Sequence, residues 1–125
     1  MDGLPATWWA VTIDCVDPAR VAAFWSALLG APVEEPGSDR PGWLRIRPIA
    51  PHGPVVNFQP VDEPKVGKVR LHLDVLVDDI EAGVAQVVGL GGTDTGAREE
   101  LPRGWIAVVR DPEGNELCLL ASPAG

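Results

Sequence analysis

From Trp8 to Val16 apolar and polar residues alternate, with Val11, Ile13 and Cys15 on one face and Ala10, Thr12 and Asp14 on the other. A period of two marks a half-buried strand. Asp17-Pro18 follows, a side chain suited to cap a helix and a proline at its first position, where the missing N–H costs nothing. Val21, Phe24, Trp25, Leu28 and Leu29 then recur at helical spacing as one apolar stripe, and Gly30 with Pro32 ends the helix. Short strands are predicted around Val33 to Glu35, Trp43 to Arg47 and Val55 to Gln59, separated by Pro-Gly-Ser-Asp and Pro-His-Gly-Pro turns.

The same order then returns. Residues 61–68 read as a polar linker, and alternation resumes at Val69, with Leu71, Leu73, Val75 and Val77 on one face and Arg70, His72, Asp74 and Leu76 on the other. Asp78 and Asp79 cap a second helix, with Glu81 as a capping-box partner for Asp78, and Ile80, Val84, Val87 and Val88 form its stripe up to Gly91-Gly92. Strands near Thr95 to Glu99, Gly104 to Arg110 and Glu116 to Ala121 complete the unit, the last two joined by the turn Asp111 to Asn115. Sliding the chain by 62 residues aligns Asp17 with Asp79, Ala23 with Ala85, Leu28 with Leu90, Gly30 with Gly92, Gly42 with Gly104 and Trp43 with Trp105. The predicted fold class is α+β. One domain over residues 1–125 holds two tandem β-α-β-β-β modules, at about 8–60 and about 69–122, whose curved mixed sheet surrounds a central cup.

The apolar face of each opening strand must receive its helix, so Thr12 and Asp14, and likewise Arg70, His72 and Asp74, point the other way. A polar inner surface in both halves suggests a solvated cup for a ligand, with Trp43 and Trp105 as apolar walls. Length and charge narrow the field. At 125 residues the chain suits one domain with a real core, and a net charge of −8 without a basic cluster gives a nucleic-acid backbone nothing to bind. No apolar run approaches the roughly 20 residues that span a bilayer, so no membrane partner and a cytoplasmic location are expected. Two cysteines are too few for a disulfide framework, and parity puts Cys15 and Cys118 on opposite sides of the sheet as free thiols.

Asp17-Pro18 through Phe24-Trp25 and Leu28-Leu29-Gly30, then Arg70-Leu71-His72-Leu73-Asp74 with Val77-Asp78-Asp79, then Asp111-Pro112-Glu113-Gly114-Asn115-Glu116, together carry a resemblance. Over about residues 8–122 the chain resembles the vicinal oxygen chelate superfamily, the fold of glyoxalases, bleomycin-resistance proteins and extradiol dioxygenases, and most of all its short glyoxalase-like members. The resemblance implies paired β-α-β-β-β modules and a homodimer. Catalytic members hold a divalent metal with one residue from each of four strands, usually His, Gln or Glu, leaving positions open for two vicinal substrate oxygens. Carried onto this chain, those slots fall at Ala10, at His72, at Cys118 with Glu116 nearby, and at Val56 or Asn57 depending on a one-residue gap. A methyl group cannot bind metal, so no cofactor is expected, and an atypical zinc site of His72, Glu116 and Cys118 is the alternative.

Each candidate has a plainer reading. His72 is either a hydrogen-bonded sheet histidine or a base oriented by Asp74, and Asp74 can instead pair with Arg70. Glu116 either accepts turn amides or faces the cup, and Cys118 fills a core as readily as it lines a site. Trp25 belongs to the core, Trp8 and Trp9 suit a subunit interface, and the glycines from Gly89 to Gly92 end a helix where a nucleotide loop would open one. The expected ligand-binding set is Trp43, Asn57, Gln59, His72, Asp74, Trp105, Glu116 and Cys118, with His72 and Glu116 as catalytic candidates. The function expected is binding of a small organic molecule without the usual metal, in the manner of a protein that sequesters a toxic or antibiotic compound. The alternatives are a lyase, isomerase or dioxygenase using metal or acid–base chemistry, and a structural dimer with an empty cup.

Overall fold

The computed structural model describes residues 9–47, 54–102 and 104–122. Its elements are β1 (Ala10–Cys15), α1 (Pro18–Leu29), β2 (Val33–Glu34), β3 (Leu44–Ile46) and β4 (Val55–Pro60), then β5 (Leu73–Leu76), α2 (Ile80–Gly89), β6 (Thr93–Leu101), β7 (Gly104–Arg110) and β8 (Glu116–Ala121). This is the predicted order, twice. Each module forms its own four-stranded mixed sheet, ordered β1-β4-β3-β2 in the first and β5-β8-β7-β6 in the second. Trp8 and the turn residues 51–53 lie outside the described residues.

Both helices start and stop for the local reasons their sequences advertise. The Asp17 carboxylate accepts the Arg20 amide at 3.3 Å, Pro18 takes the first helical position, and Gly30 ends α1 in the left-handed region. Asp79, rather than Asp78, caps α2, accepting the Ala82 amide at 2.9 Å. Glu81 therefore does not close a capping box; its carboxylate takes Arg98 of β6 instead, at 2.8 and 3.1 Å. Val21, Phe24 and Trp25 of α1 and Ile80, Val84 and Val87 of α2 bury against Cys15, Ile46, Phe58, Ala107, Val109, Leu117 and Leu119, with Leu28 and Leu29 partly buried, whereas Val88, expected in the second stripe, is 50% exposed at its edge.

Register fixes which residues share a face. In the first sheet Thr12 pairs with Asn57 and Asp14 with Gln59, so all four lie on the face away from α1. In the second, Asp74 pairs with Cys118, and Val108 pairs with Cys118 on its other side. Since Thr12 repeats as Asp74, the residue matching Cys118 is Asn57, and the one-residue gap is real.

Two expectations fail on register and geometry. β3 and β7 do not keep the 62-residue offset: Leu44 and Ile46 face the core in β3, whereas Ala107 and Val109 do so in β7. A slip of one residue turns every side chain over, so Trp105, paired with Ala121, stands on the helix side of its sheet and is not a wall of the cup. Trp43 directly precedes β3 and by alternation keeps the cup side with Arg45. The second opening strand is also shorter than predicted. Val69 gives its N–H to the Glu116 carboxylate at 2.8 Å rather than to a ladder, and pairing begins only at Leu73. Leu71, expected on the core side, is consequently 90% exposed.

Candidate functional site

The cup face of the first sheet is polar but internally paired. Thr12, Asn57, Arg45 and Glu34 follow one another across the strands. Arg45 and Arg47 both donate to Glu34, at 2.9 and 2.8 Å, and these two bonds, Arg47 first, hold its carboxyl below the usual range. Beside them the Arg40 guanidinium lies 4.9 Å from the Trp43 ring centre and covers part of that ring.

The cup face of the second sheet is more open. Arg110 and Glu116 form one row, Val108, Cys118 and Asp74 the next, Ile106, Leu120 and Leu76 a third. Glu116 is 8% exposed, and its carboxylate accepts Lys65 Nζ at 2.9 Å and the Val69 N–H at 2.8 Å, with Arg110 Nε at 3.7 Å. Burial favours the neutral acid, but the Lys65 and Val69 hydrogen bonds and the two cations outweigh it and hold the carboxyl below its ordinary value. Glu116 thus fastens the linker to the sheet, accepting linker groups where turn amides were one expectation. Cys118 is raised, first by burial and then by the charge of Asp74, with Lys68 opposing, so its thiol is no ready nucleophile.

Two clefts flank the Lys65 and Glu116 contact. The first, of about 570 Å³, lies on the cup face under the linker and is lined by Lys65, Lys68, Thr95, Val108, Arg110 and Glu116 among others. The second, of about 540 Å³, separates β1 from the linker and the approach to β5, and includes Thr12, Asp14, Val66, Leu71 and Glu116. Of the eight expected ligand residues only Glu116 lines either cleft. Asp74 and Cys118 meet as cross-strand neighbours, Asn57 and Gln59 share the other sheet's cup face, and His72 is exposed just ahead of β5. Among the described residues neither His72 nor Asp74 makes a side-chain hydrogen bond, so no base and orienting carboxylate are joined there and Asp74 does not pair with Arg70.

Sequence reasoning missed Lys65, Lys68 and Arg110. Arg110 was within reach, because its parity with Val108 opposes the core-facing Ala107 and Val109. The two linker lysines carry no periodic signal.

The superfamily's metal slots, carried over by resemblance, fall here on few donor side chains. The first slot is the methyl of Ala10, the matched slots are Asn57 and Cys118, and among the described residues no group of three or more His, Cys, Asp or Glu side chains is placed to hold an ion.

Comparison with known proteins agrees with this architecture. The profile of the glyoxalase-like domain matches residues 10–120. A glyoxalase/bleomycin resistance protein/dioxygenase family enzyme from Burkholderia phytofirmans PsJN superposes with a TM-score of 0.75 at 19% identity, covering 94% of this chain and 100% of its own. The oxidase ChaP-H2 gives 0.68 at 17% identity, with 98% of each chain covered. An antibiotic binding protein from Streptomyces sp. CB03234 gives 0.65 at 18% identity, covering 98% of this chain and 100% of its own. Comparison with curated proteins gives no match. The fold is that of the vicinal oxygen chelate proteins. Within that class, the chain belongs to the glyoxalase-like domain family.

Proposed function

We propose that this protein binds a small organic molecule on the cup side of its sheets, without the superfamily's usual metal, and so sequesters a toxic or antibiotic compound. The observation that carries this reading is the donor set: Ala10 and Asn57 stand in two of the four slots, while His72 is exposed ahead of its strand. Engagement of Glu116 by Lys65 and Val69 favours binding over acid–base chemistry, since its carboxylate already fastens the linker. Among relatives of the same fold, one is an antibiotic binding protein. The proposed contact residues are Glu116 with Cys118 and Asp74 on the second sheet, Trp43, Asn57 and Gln59 on the first, and His72 at the rim.

The protein acts in this reading as a cytoplasmic homodimer. Support for the dimer comes from Trp9, Val66 and Leu71, which are 79%, 92% and 90% exposed, with Val66 and Leu71 lining the second cleft. Exposed apolar groups of this kind mark interaction surfaces. Light scattering on the purified chain measures the assembly directly.

The test of the function is thermal shift and tryptophan fluorescence against a panel of small aromatic compounds and antibiotics, beside elemental analysis after dialysis against zinc, nickel, manganese and iron(II). Saturable stabilisation by a compound, without stoichiometric metal, is expected. Near-stoichiometric metal that disappears in His72→Ala would overturn the reading in favour of a metal-dependent enzyme.

A further inference from the structure

The first cleft concentrates positive charge in a chain that is otherwise strongly acidic. Lys65, Lys68 and Arg110 line it together with Glu113 and Glu116, in a protein of net charge −8. What matters is which of these charges are already engaged. Lys65 donates to Glu116 at 2.9 Å and to the Gly67 carbonyl, and the other Glu116 oxygen takes the Val69 N–H. Both Glu113 oxygens are also occupied, by the Val16 N–H at 2.7 Å and the Asp17 N–H at 2.6 Å, at the start of α1. Two cations remain. Among the described residues Lys68 makes no side-chain hydrogen bond, and Arg110 has only the 3.7 Å approach to Glu116, with 45% of its side chain exposed.

From this arrangement, and resting on the small-molecule reading above, we infer that the first cleft takes the carboxylate of a small organic anion, held by Arg110 and Lys68, with its apolar body on Val108 and Ala97. A guanidinium presents paired donors in the geometry a carboxylate accepts, and the lysine adds a mobile charge. The volume of about 570 Å³ lies within the span of pockets that hold small ligands. The acidic remainder of the chain does not forbid an anion here, because at physiological salt charges beyond about 8 Å are largely screened. A phosphate dianion fits less well. Arginine and lysine also pair with phosphate, but its second negative charge would stand beside the carboxylates of Glu113 and Glu116 in the same cleft.

The inference is tested on the full chain by isothermal titration and amide chemical-shift mapping, using a panel of aromatic and aliphatic monocarboxylates, each paired with its neutral primary amide. Carboxylates should bind at least about tenfold more tightly than their amides, shift resonances of residues 104–118, and weaken as salt rises. Arg110→Gln and Lys68→Gln should each erase most of that preference, and Arg110→Lys should restore part of it. Lys68 is exposed and outside the core, so its variant reports on binding even where Arg110→Gln perturbs folding. Acids and amides binding equally, with both variants like wild type, would overturn the anion site while leaving a cup that binds neutral molecules. Inorganic phosphate displacing the carboxylates at equal concentration would overturn the carboxylate assignment. If neither member of any pair shifts a cup resonance, this inference and the small-molecule reading fall together.

Discussion

The turn after β7 reaches the first module through two carboxylates, Glu113 on the Val16 and Asp17 amides and the buried Asp111 on the Trp25 indole, and the strength of the second joint is measurable. Asp111 is 1% exposed. Its Oδ1 accepts the Glu113 and Asn115 amides at 2.9 and 3.0 Å, while Oδ2 accepts Asn115 Nδ2 at 3.0 Å and the Trp25 indole N–H at 3.3 Å. Three of these bonds stay within the turn. The fourth reaches α1 in the other module. Asp111→Asn leaves Oδ1 in place but turns an amide NH2 toward two donors, so two accepted bonds become donor facing donor. A hydrogen bond to a charged group contributes about 1.5–3 kcal/mol, and the 3.3 Å bond belongs at the lower end, so the variant should lose about 2–4 kcal/mol after relaxation. Trp25→Phe deletes the indole N–H and some volume while leaving Oδ2 with Asn115, at a cost of about 1–3 kcal/mol.

Neither single variant separates hydrogen bonding from packing, but the cycle does. With Phe at position 25 the new amide meets one donor fewer, so Asp111→Asn should cost about 1–2 kcal/mol less there than in the wild-type background. Urea unfolding followed by circular dichroism gives each stability, with the slopes compared to check two-state behaviour. Additivity within about 0.5 kcal/mol at unchanged slope would mean that the indole and the carboxylate do not support each other, and the account of Asp111 as a joint would be wrong.

Three further outcomes follow from other sites. A Cβ on Gly104 would run into the Ala121 carbonyl oxygen of the neighbouring strand, so Gly104→Ala should lower stability by about 3 kcal/mol or more, and an unchanged melting temperature would contradict the strand approach. Cys15 is fully buried and its thiol is pushed up to about 12, by burial first and then by neighbouring carboxylates, Glu113 foremost; Cys118 should therefore take up a thiol reagent before Cys15, which should label only on unfolding, and mass spectrometry of the labelled peptides shows the order. Because the Glu116 carboxyl lies below its ordinary value in the fold, its stabilising effect is present above the ordinary carboxylate range and fades as pH falls through the lowered folded value. The gap between wild type and Glu116→Gln should thus be widest at neutral pH and close in acid, and a gap independent of pH in urea titrations would refute the Lys65 contact.

Much of the fold was legible because its signals are local. Asp17-Pro18, Gly30 and Asp79 act on backbone groups within a turn of themselves, and alternation in β1 assigned Thr12 and Asp14 to the cup face before any pairing was known. Trp105 was misplaced because similarity at 62 residues matched its Gly-Trp pair with Gly42-Trp43, although parity within β7 already grouped it with Ala107 and Val109. Sequence likeness and strand parity disagreed there, and parity governs which way a side chain points. The site was less legible, because its shape depends on a segment without regular structure. Residues 61–72 read as a polar linker and the start of a strand, and nothing periodic announces that Lys65 and Val69 converge on Glu116.

That convergence explains why two similar modules yield unequal faces. Repetition supplies each sheet with a helix side and an open side, and by itself would supply two equivalent cups. The linker exists once. It fastens to the second sheet through Glu116, adds Lys65 and Lys68 to the Arg110 edge, and leaves the first sheet's open face to the pairing of Glu34 with Arg45 and Arg47. The Lys65–Glu116 ion pair forms part of the wall of both larger clefts. Without the linker contact, Glu116 would face solvent beside Arg110. Here the carboxylate holds the linker that forms one wall of the cleft.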